Sequence, residues 1–517
     1  MKIVLADIQS AIKFCLTPVS ILGLVRFNRV IVLTSIKTNS QKLFLFTLLL
    51  FIPLVQNSYS QDLNNKLSNF LTEYKINKGV PSISGGVSLQ DSIIWLDAIG
   101  FADVENSVPA NTNTLYRIAS ISKFITSVAI MQLVESGRIK LDEDARTYLP
   151  YFPKKKWSFT VRQLLNHTSG IRSYRYGEFN STESFHSIKD AIRTVINDTL
   201  EFQPGTKYNY STLAYNLLAG IIEHVSELSY EEYLKKYIFQ PSGMKSTFLE
   251  YQPKIIYNKA RGYIKNNLRQ FENAQLADLS IKFPGGGIIS SSGDLLKFAN
   301  SIINFKLINK SSLDKMLQPT VINRDTLNYG LGLSFGVDHK GRKYFGHSGG
   351  GTGFVSDLII YPDLSLATVY LMNIRDRNLE NPAKSFASIF LDNEQIKVKK
   401  SLADRLLEIY LQSNIDSVLN ALLQITKDSS ASYKTDKDEL VLFGYDLIAA
   451  YNYTDAVTYF RYLISRDNNF AKYYVGLADA YYIDGNKGLA VKNFRHALSL
   501  DPKEKYAQDM IKRIENE

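Results

Sequence analysis

The segment from Ser120 to Ser136 sets the strongest constraint on this chain. Phe124, Ile125, Val128, Ala129, Ile130, Met131 and Leu133 make it apolar nearly all round at helical spacing, and Gly137 stops it. A helix without a polar face is buried, so the rest of the chain must wrap it. Ser120 and Lys123 stand at its mouth, one turn apart on one face. On a surface helix that pair would mean little. On a buried one it stands out, because buried lysines are rare without a task. A serine hydroxyl is a poor nucleophile until a neighbour takes its proton. A lysine whose pKa is depressed by burial is such a neighbour. The helix N-terminus adds free backbone N–H groups and a positive dipole end beside the hydroxyl.

Strand-like and helix-like stretches alternate around this helix from Gln61 to about Asn393. Gly85–Leu89 and Ser92–Leu96 read as strands joined by a polar turn at Gln90-Asp91. Thr160–Asn166 and Thr212–Val225 read as helices. Ser291-Ser292-Gly293-Asp294 reads as a capping box opening a helix at about Asp294–Ile303. Tyr329–Phe335, Phe354–Tyr361 and Leu366–Met372 read as strands. Mixed order with hairpins predicts an α+β fold rather than a regular βαβ array.

Beyond about Glu394 the pattern turns helical, over Ser401–Gln424 and after Asp438, with a polar break at Lys427–Glu439. Tyr474, Leu477, Ala478, Tyr481, Ala490, Phe494, Ala497 and Pro502 follow the spacing of a tetratricopeptide repeat. A step back of 34 residues finds Leu440, Phe443, Gly444, Leu447, Ala456, Phe460, Leu463 and Asn468 in the same slots. The repeats span 437–470 and 471–504, and Lys503–Glu517 reads as a charged capping helix. Two copies fall short of the usual minimum of about three. Either Ser401–Gln424 is a degenerate further unit or the array leans on the preceding domain.

The first sixty residues read as an export segment. Lys42 precedes the apolar run Leu43–Val55, and small residues follow up to Ser60, after which the cut is expected. The run is short for a membrane span of about 20 residues. A second apolar patch, Ile21–Val32, is interrupted by Arg26 and Arg29; membrane attachment follows only if the segment is not cleaved. Cys15, the one cysteine of the 517 residues, lacks the small residues that would precede a lipidation site. Six of the chain's lysines and arginines against Asp7 lie here, so half of the +10 net charge belongs to this segment. The mild surplus left, without dense basic runs, argues against nucleic acid as a partner. The six histidines are scattered with no His-Glu-x-x-His, so neither a metal nor another cofactor is expected.

Two further groups carry candidate chemistry. Pro204-Gly205 turns the chain into Lys207-Tyr208-Asn209-Tyr210-Ser211-Thr212 just before a helix. Near lysines that favour its phenolate, Tyr210 is a candidate general base and then acid; with 32 tyrosines in the chain, packing is the ordinary role. Gly346-His347-Ser348-Gly349-Gly350-Gly351 lacks the Gly-Lys-Ser/Thr of a phosphate cradle and runs into strand-like sequence. Glycines there suit close backbone approach to a substrate, and the strand edge can lend an N–H to an oxyanion hole.

Together these groups resemble the serine β-lactamase and penicillin-binding family, in its class C branch of β-lactamase-like esterases and peptidases. Ser120 and Lys123 match the family's Ser-x-x-Lys motif. Tyr210-Ser211-Thr212 matches Tyr-x-Asn, with Thr212 in place of the asparagine. His347-Ser348-Gly349 matches the third motif in its His-x-Gly form. Leu164–Ile171, Gln240–Met244, Gly285–Ser290 and Tyr329–Gly332 match connecting landmarks, so the likeness covers about Asp62–Asp392. It implies an antiparallel sheet flanked by helices with a helical subdomain over 61–395, followed by the all-α repeat domain over 401–517. It also implies that Ser120 attacks a carbonyl while Lys123 and Tyr210 shuttle the proton. The N–H groups of Ser120 and Gly350 would hold the oxyanion, and water would release the acyl-enzyme. His347 would hydrogen-bond near Tyr210 or a substrate carboxylate, and Thr212, Ser348 and Gly349 would line the substrate site. His167 belongs to a family structural loop and is expected to pack rather than act as base.

The departures bear on substrate. The third motif often carries a lysine, whereas His347 is largely neutral near pH 7, and Thr212 offers less hydrogen bonding than an amide. Both favour an esterase, amidase or peptidase on a small-molecule or peptide substrate. The alternatives are a β-lactamase, D,D-carboxypeptidase or D-aminopeptidase, or, from another class, an idle scaffold working through its repeats. The expected location is the periplasm or outside the cell, with the repeats open to a protein partner.

Overall fold

The computed structural model describes residues 61–376, 379–427 and 432–517. The expected export segment, with Cys15, lies outside the described residues. The turn at Gln90-Asp91 reverses the chain as its sequence requires. Both residues take positive φ, 47° and 72°, the pair of left-handed conformations that a two-residue hairpin turn needs. Across it β1 (Ser82–Leu89) and β2 (Ser92–Asp103) pair antiparallel, and β3 (Val108–Pro109) extends that edge. On the other side β4 (Ser334–Val337), β5 (Lys343–Gly351), β6 (Phe354–Tyr361) and β7 (Leu366–Met372) form a meander. The seven strands lie in the order β4-β5-β6-β7-β1-β2-β3, all antiparallel to their neighbours. The first strand meets the last at the centre, with Ile83 opposite Met372.

Alternation along a strand sends successive side chains to opposite faces, and β7 shows it: Val369 and Leu371 enter one core, Tyr370 and Met372 the other. The first core is built on α1 (Ile121–Glu135), α2 (Ala214–Ser226) and α3 (Ser292–Ile303). Twelve of the fifteen α1 residues are buried, as its all-round apolar surface demands. Phe124 meets Phe298 of α3 and Phe345 of β5 edge-on, at 5.1 and 6.2 Å between ring centroids. The second core lies under the helix of residues 61–78 and α4 (Pro382–Asp392). There Phe386 packs on Phe70 and Trp95 at 5.7 and 5.0 Å.

Two expected elements differ. Only Ser334–Val337 of the region around Tyr329–Phe335 enters the sheet, and Tyr329 meets Ser334 through a single bridge. Gly332, at φ +77°, turns the backbone between them, which frees Tyr329 to point elsewhere. Helix α3 begins at Ser292 rather than near Asp294, with Ser291 as its cap accepting from the Asp294 N–H at 3.2 Å. The reciprocal half of the capping box is missing because the Asp294 carboxylate accepts instead from the backbone N–H of Ser246, at 2.6 Å. At Thr160 both halves of such a box form, over the helix Val161–Leu165.

From Leu402 the chain is a helical array with its own apolar core. The stretch Ser401–Gln424 forms two helices of it, α5 (Leu402–Gln412) and α6 (Ile415–Lys427). They are followed by α7 (Lys437–Ala449), α8 (Tyr453–Arg466), α9 (Ala471–Ile483), α10 (Lys487–Leu500) and α11 (Lys505–Asn516). Helix starts at Lys437 and Ala471, and at Tyr453 and Lys487, recur at a 34-residue step. A Cβ on Gly444 or Gly476 would lie 2.3 or 2.2 Å from the Phe460 ring, so these glycines set how closely α7 and α9 approach α8. The array also leans on the preceding domain. Arg269, on the hairpin of Tyr263–Lys265 and Phe271–Asn273, binds Asp376 at 2.6 and 2.9 Å and Asp404 of α5 at 2.7 Å. Among the described residues no helix is long and apolar enough to cross a membrane.

Because Phe386 fills the space that Gly85 leaves against Trp95, Phe386→Ala should cost about 3–5 kcal/mol. A lowered midpoint in urea unfolding, followed by tryptophan fluorescence, is the check.

Candidate active site

The nucleophile turn is assembled from distant segments. The strand Tyr116–Arg117 pairs with Ile288–Ser290. Ile118 then donates its N–H to Ile288 O at 3.0 Å and accepts from Ser356 Oγ at 2.9 Å. Ala119 takes φ +45°, a left-handed conformation that costs an alanine about 1–2 kcal/mol. Ser120 follows as the N-cap of α1 with φ −69° and ψ −6°. Its Oγ lies 3.1 Å from Lys123 Nζ and close enough to the Tyr210 hydroxyl to favour its ionised form. The sequence reading placed these three groups together, and the structure does so.

Lys123 is fully buried. Nζ lies 2.6 Å from Gly285 O and 3.1 Å from Thr212 Oγ1, so all three polar partners are uncharged. Burial, reinforced by the charge of Lys282, holds its pKa well below that of a free lysine. As a neutral amine it gives its two hydrogens to Gly285 O and Thr212 Oγ1 and turns its lone pair to the Ser120 hydroxyl, the geometry of a general base. Residue 285 must be glycine: a Cβ there would stand 2.5 Å from Thr212 Cγ2. Thr126 Oγ1, 2.6 Å from Pro284 O, ties the preceding carbonyl to α1.

The Tyr210 ring stands 4.8 Å from Lys123 Nζ. Burial pushes its hydroxyl well above the usual phenol range. The resting tyrosine is therefore a phenol, a proton donor in waiting rather than the phenolate that nearby lysines were expected to favour. Thr212, expected among the substrate-binding residues, is buried with its hydroxyl on Lys123.

His347 does not bond to Tyr210; their ring centroids are 6.4 Å apart. Its place becomes clear through Tyr329. The Ser211 N–H donates to His167 Nδ1 at 3.1 Å, so His167 carries its proton on Nε2 and gives it to Tyr329 Oη, also at 3.1 Å. His347 donates from Nδ1 to Ser348 O at 2.5 Å, leaving Nε2 to accept from Tyr329 at 3.1 Å. The four bonds run in one direction and fix both tautomers. Burial holds His167 well below the ordinary histidine range and lowers His347 to about 3, so both stay neutral. His167 is thus a positioning residue, as expected. The third motif carries no charge.

Strand β4 covers β5 only as far as Gly346. Among the described residues only β6 pairs with it from His347 to Gly351, which leaves the outer edge of Ser348, Gly349 and Gly350 without a strand partner there. A Cβ on Gly349 would meet Ile118 O and Ser356 Oγ at 2.3 Å, while one on Gly350 would meet open space. Ser120, Thr212, Gly350 and Gly351 line one narrow cleft with Tyr174, Phe179 and Lys282. Arg172, buried and paired with Glu178 at 2.6 Å and Asp198 at 2.5 Å, pins the loop that brings Tyr174 and Phe179 to the wall. Sequence reasoning missed Tyr329, the Gly285 carbonyl and Lys282. The first two sit inside the landmarks Tyr329–Gly332 and Gly285–Ser290, and Lys282 lies three residues before the second.

A serine on a strained turn at the mouth of a buried helix, with an amine and a phenol on its hydroxyl, defines a serine hydrolase. The protein-family model described as Beta-lactamase matches residues 67–388, and the chain belongs to that family. It is 30% identical over 390 residues to the serine beta-lactamase-like protein LACTB, mitochondrial, of Homo sapiens, covering 57% of this chain and 71% of that protein. It is 29% identical over 351 residues to penicillin-binding protein 4* of Bacillus subtilis (strain 168), covering 64% and 76%. Among solved structures it resembles the octameric penicillin-binding protein homologue from Pyrococcus abyssi, with TM-score 0.56 and 26% identity over 67% of this chain and 81% of that one.

Lys123 serves as base only when neutral. Its depressed pKa means that reactivity is present above that pKa and lost as pH falls through it. The rate of fluorophosphonate reaction at Ser120 should rise with pH and level off below the range of a free lysine. Lys123→Arg, cationic at every accessible pH, should lower that rate by about 100-fold or more.

Proposed function

We propose that the chain is an active serine hydrolase that cleaves an ester, amide or peptide carbonyl through an acyl-enzyme. The observation that carries this is the buried Lys123, its pKa held down by burial, with Ser120 Oγ at 3.1 Å. Ser120 Oγ bonds to the carbonyl carbon as its proton passes to Lys123 Nζ. The carbonyl electron pair moves onto oxygen, where the N–H groups of Ser120 and Gly350 receive it. As the tetrahedral adduct collapses, the Tyr210 hydroxyl protonates the leaving group, and the phenolate regains a proton from the Lys123 ammonium beside its ring. In the second half a water gives its proton to the same pair, attacks the acyl carbon and restores Ser120.

The neutral His347 favours esters, amides and peptides over β-lactams and D,D-peptides, whose turnover is the second reading. The helical array is read as a docking domain for a protein partner, on the strength of its 34-residue step. Export to the periplasm or beyond is read from the apolar run after Lys42. A catalytically idle scaffold is the reading the test must exclude.

A fluorophosphonate should label the wild-type chain and not Ser120→Ala; no label on wild type would favour the scaffold. Steady-state turnover of a panel of short esters, D-amino acid peptides and a chromogenic cephalosporin should then rank the esters or peptides first. Preferred cleavage of the cephalosporin would instead establish the second reading.

A further inference from the structure

Lys282 is the charge in the cleft that this scheme does not use. It immediately precedes the Phe283-Pro284-Gly285 turn whose carbonyl holds Lys123, so its place relative to Ser120 is fixed. A Cβ built on Gly286 would lie 3.9 Å from both Lys282 Cδ and the carbonyl carbon of Ala119. The side chain is buried, at 4% exposure, yet it lines the cleft. Its Nζ donates to Phe179 O and lies over the rings of Phe179 and Tyr174, at 4.2 and 5.4 Å from their centroids. An ammonium has three hydrogens to give, and that carbonyl takes one.

Among the described residues the charges around it do not balance. Burial, and after it the cations Arg117 and Arg375 that bear on it directly, lower its pKa to about 7. The acids Glu250 and Asp278 on the surrounding segments have other partners. Glu250 takes Arg117 at 2.7 and 2.9 Å and also Lys259 at 3.2 Å. Asp278 accepts from Ser184 and from Ser280 N at 2.8 Å. A desolvated cation without a counter-ion is costly, and here it stands in a cleft whose third-motif position is neutral. A ligand that brings an anion would complete the set.

On the acyl-enzyme reading above, we propose that Lys282 is the subsite for a carboxylate carried by the substrate close to its scissile carbonyl. The cation that recognises an acidic substrate would then come from the segment before Gly285 rather than from β5.

Two pairs of aryl esters test this on the full chain. The 4-nitrophenyl monoester of glutaric acid against 4-nitrophenyl valerate places the charge on the acyl side. The 3-carboxyphenyl against the 3-carbamoylphenyl ester of valeric acid places it on the leaving group. Wild type should prefer the anionic member of at least one pair. Lys282→Met should lower that preference, as a ratio of kcat/KM, at least tenfold and mainly through KM. A wild type indifferent in both pairs would overturn the proposal, as would a variant in which both members fall alike, the signature of a wall residue that only anchors Phe179. If the variant does not fold, protection of wild-type Ser120 from fluorophosphonate decides. Glutarate protecting where glutaramide does not supports the subsite, and equal protection overturns it. Failure of the underlying reading looks different, since Ser120 of the wild type would then take no label at all and this proposal would fall with it.

Discussion

The site rests on a primary amine buried from solvent and, among the described residues, without a carboxylate partner. Lys123 is fully buried, its three hydrogen-bond partners are uncharged and the charge bearing on it is the cation Lys282, so the ammonium form is penalised and the free base is favoured. The surroundings are built to that end. Gly285 lacks a side chain so that its carbonyl can come within 2.6 Å, and Thr212 offers a hydroxyl where a charged residue would have pinned the proton in place. The packing of α1 against Phe298 and Phe345 is thus more than stability. It keeps the low-polarity surroundings that disfavour the ammonium and so leave the lysine lone pair free to take a proton from serine.

The histidine–tyrosine–histidine chain complements that arrangement. Each ring has one donor and one acceptor assigned by its neighbours, so the network orients without carrying charge. It anchors the end of β5 beside the Tyr210 loop and leaves the electrostatics of the cleft to cations in front of it. On the proposed scheme, oxyanion stabilisation and substrate charge recognition are separable tasks, assigned to backbone N–H groups on one side and to buried side chains on the other.

Much of this was legible from the chain alone. Local rules found the Gln90-Asp91 hairpin, the strands Phe354–Tyr361 and Leu366–Met372 and the all-round apolar α1, because periodicity and turn chemistry are short-range. The Ser120, Lys123 and Tyr210 set was found because its members fall on recognisable motifs. What stayed hidden depended on distant partners. Asp294 reads as half of a capping box until Ser246 is seen to claim it. Tyr329 reads as a strand residue because nothing nearby in sequence shows that two histidines wait for its hydroxyl. Lys282 reads as an ordinary lysine because the aromatic walls that desolvate it come from residues 174 and 179.

The hairpin that holds the helical array has a consequence for the cleft. Its strand Tyr263–Lys265 runs beside Ile374–Arg375. Arg375 stands 5.4 Å from the ring centroid of Phe179 at the cleft, and the next residue, Asp376, grips Arg269, which in turn grips α5. Between the first helix of the array and the wall of the cleft lie two ion pairs, one peptide bond and one ring face. So short a linkage places the array within two ion pairs of the cleft wall, with Arg269 as the residue both sides share.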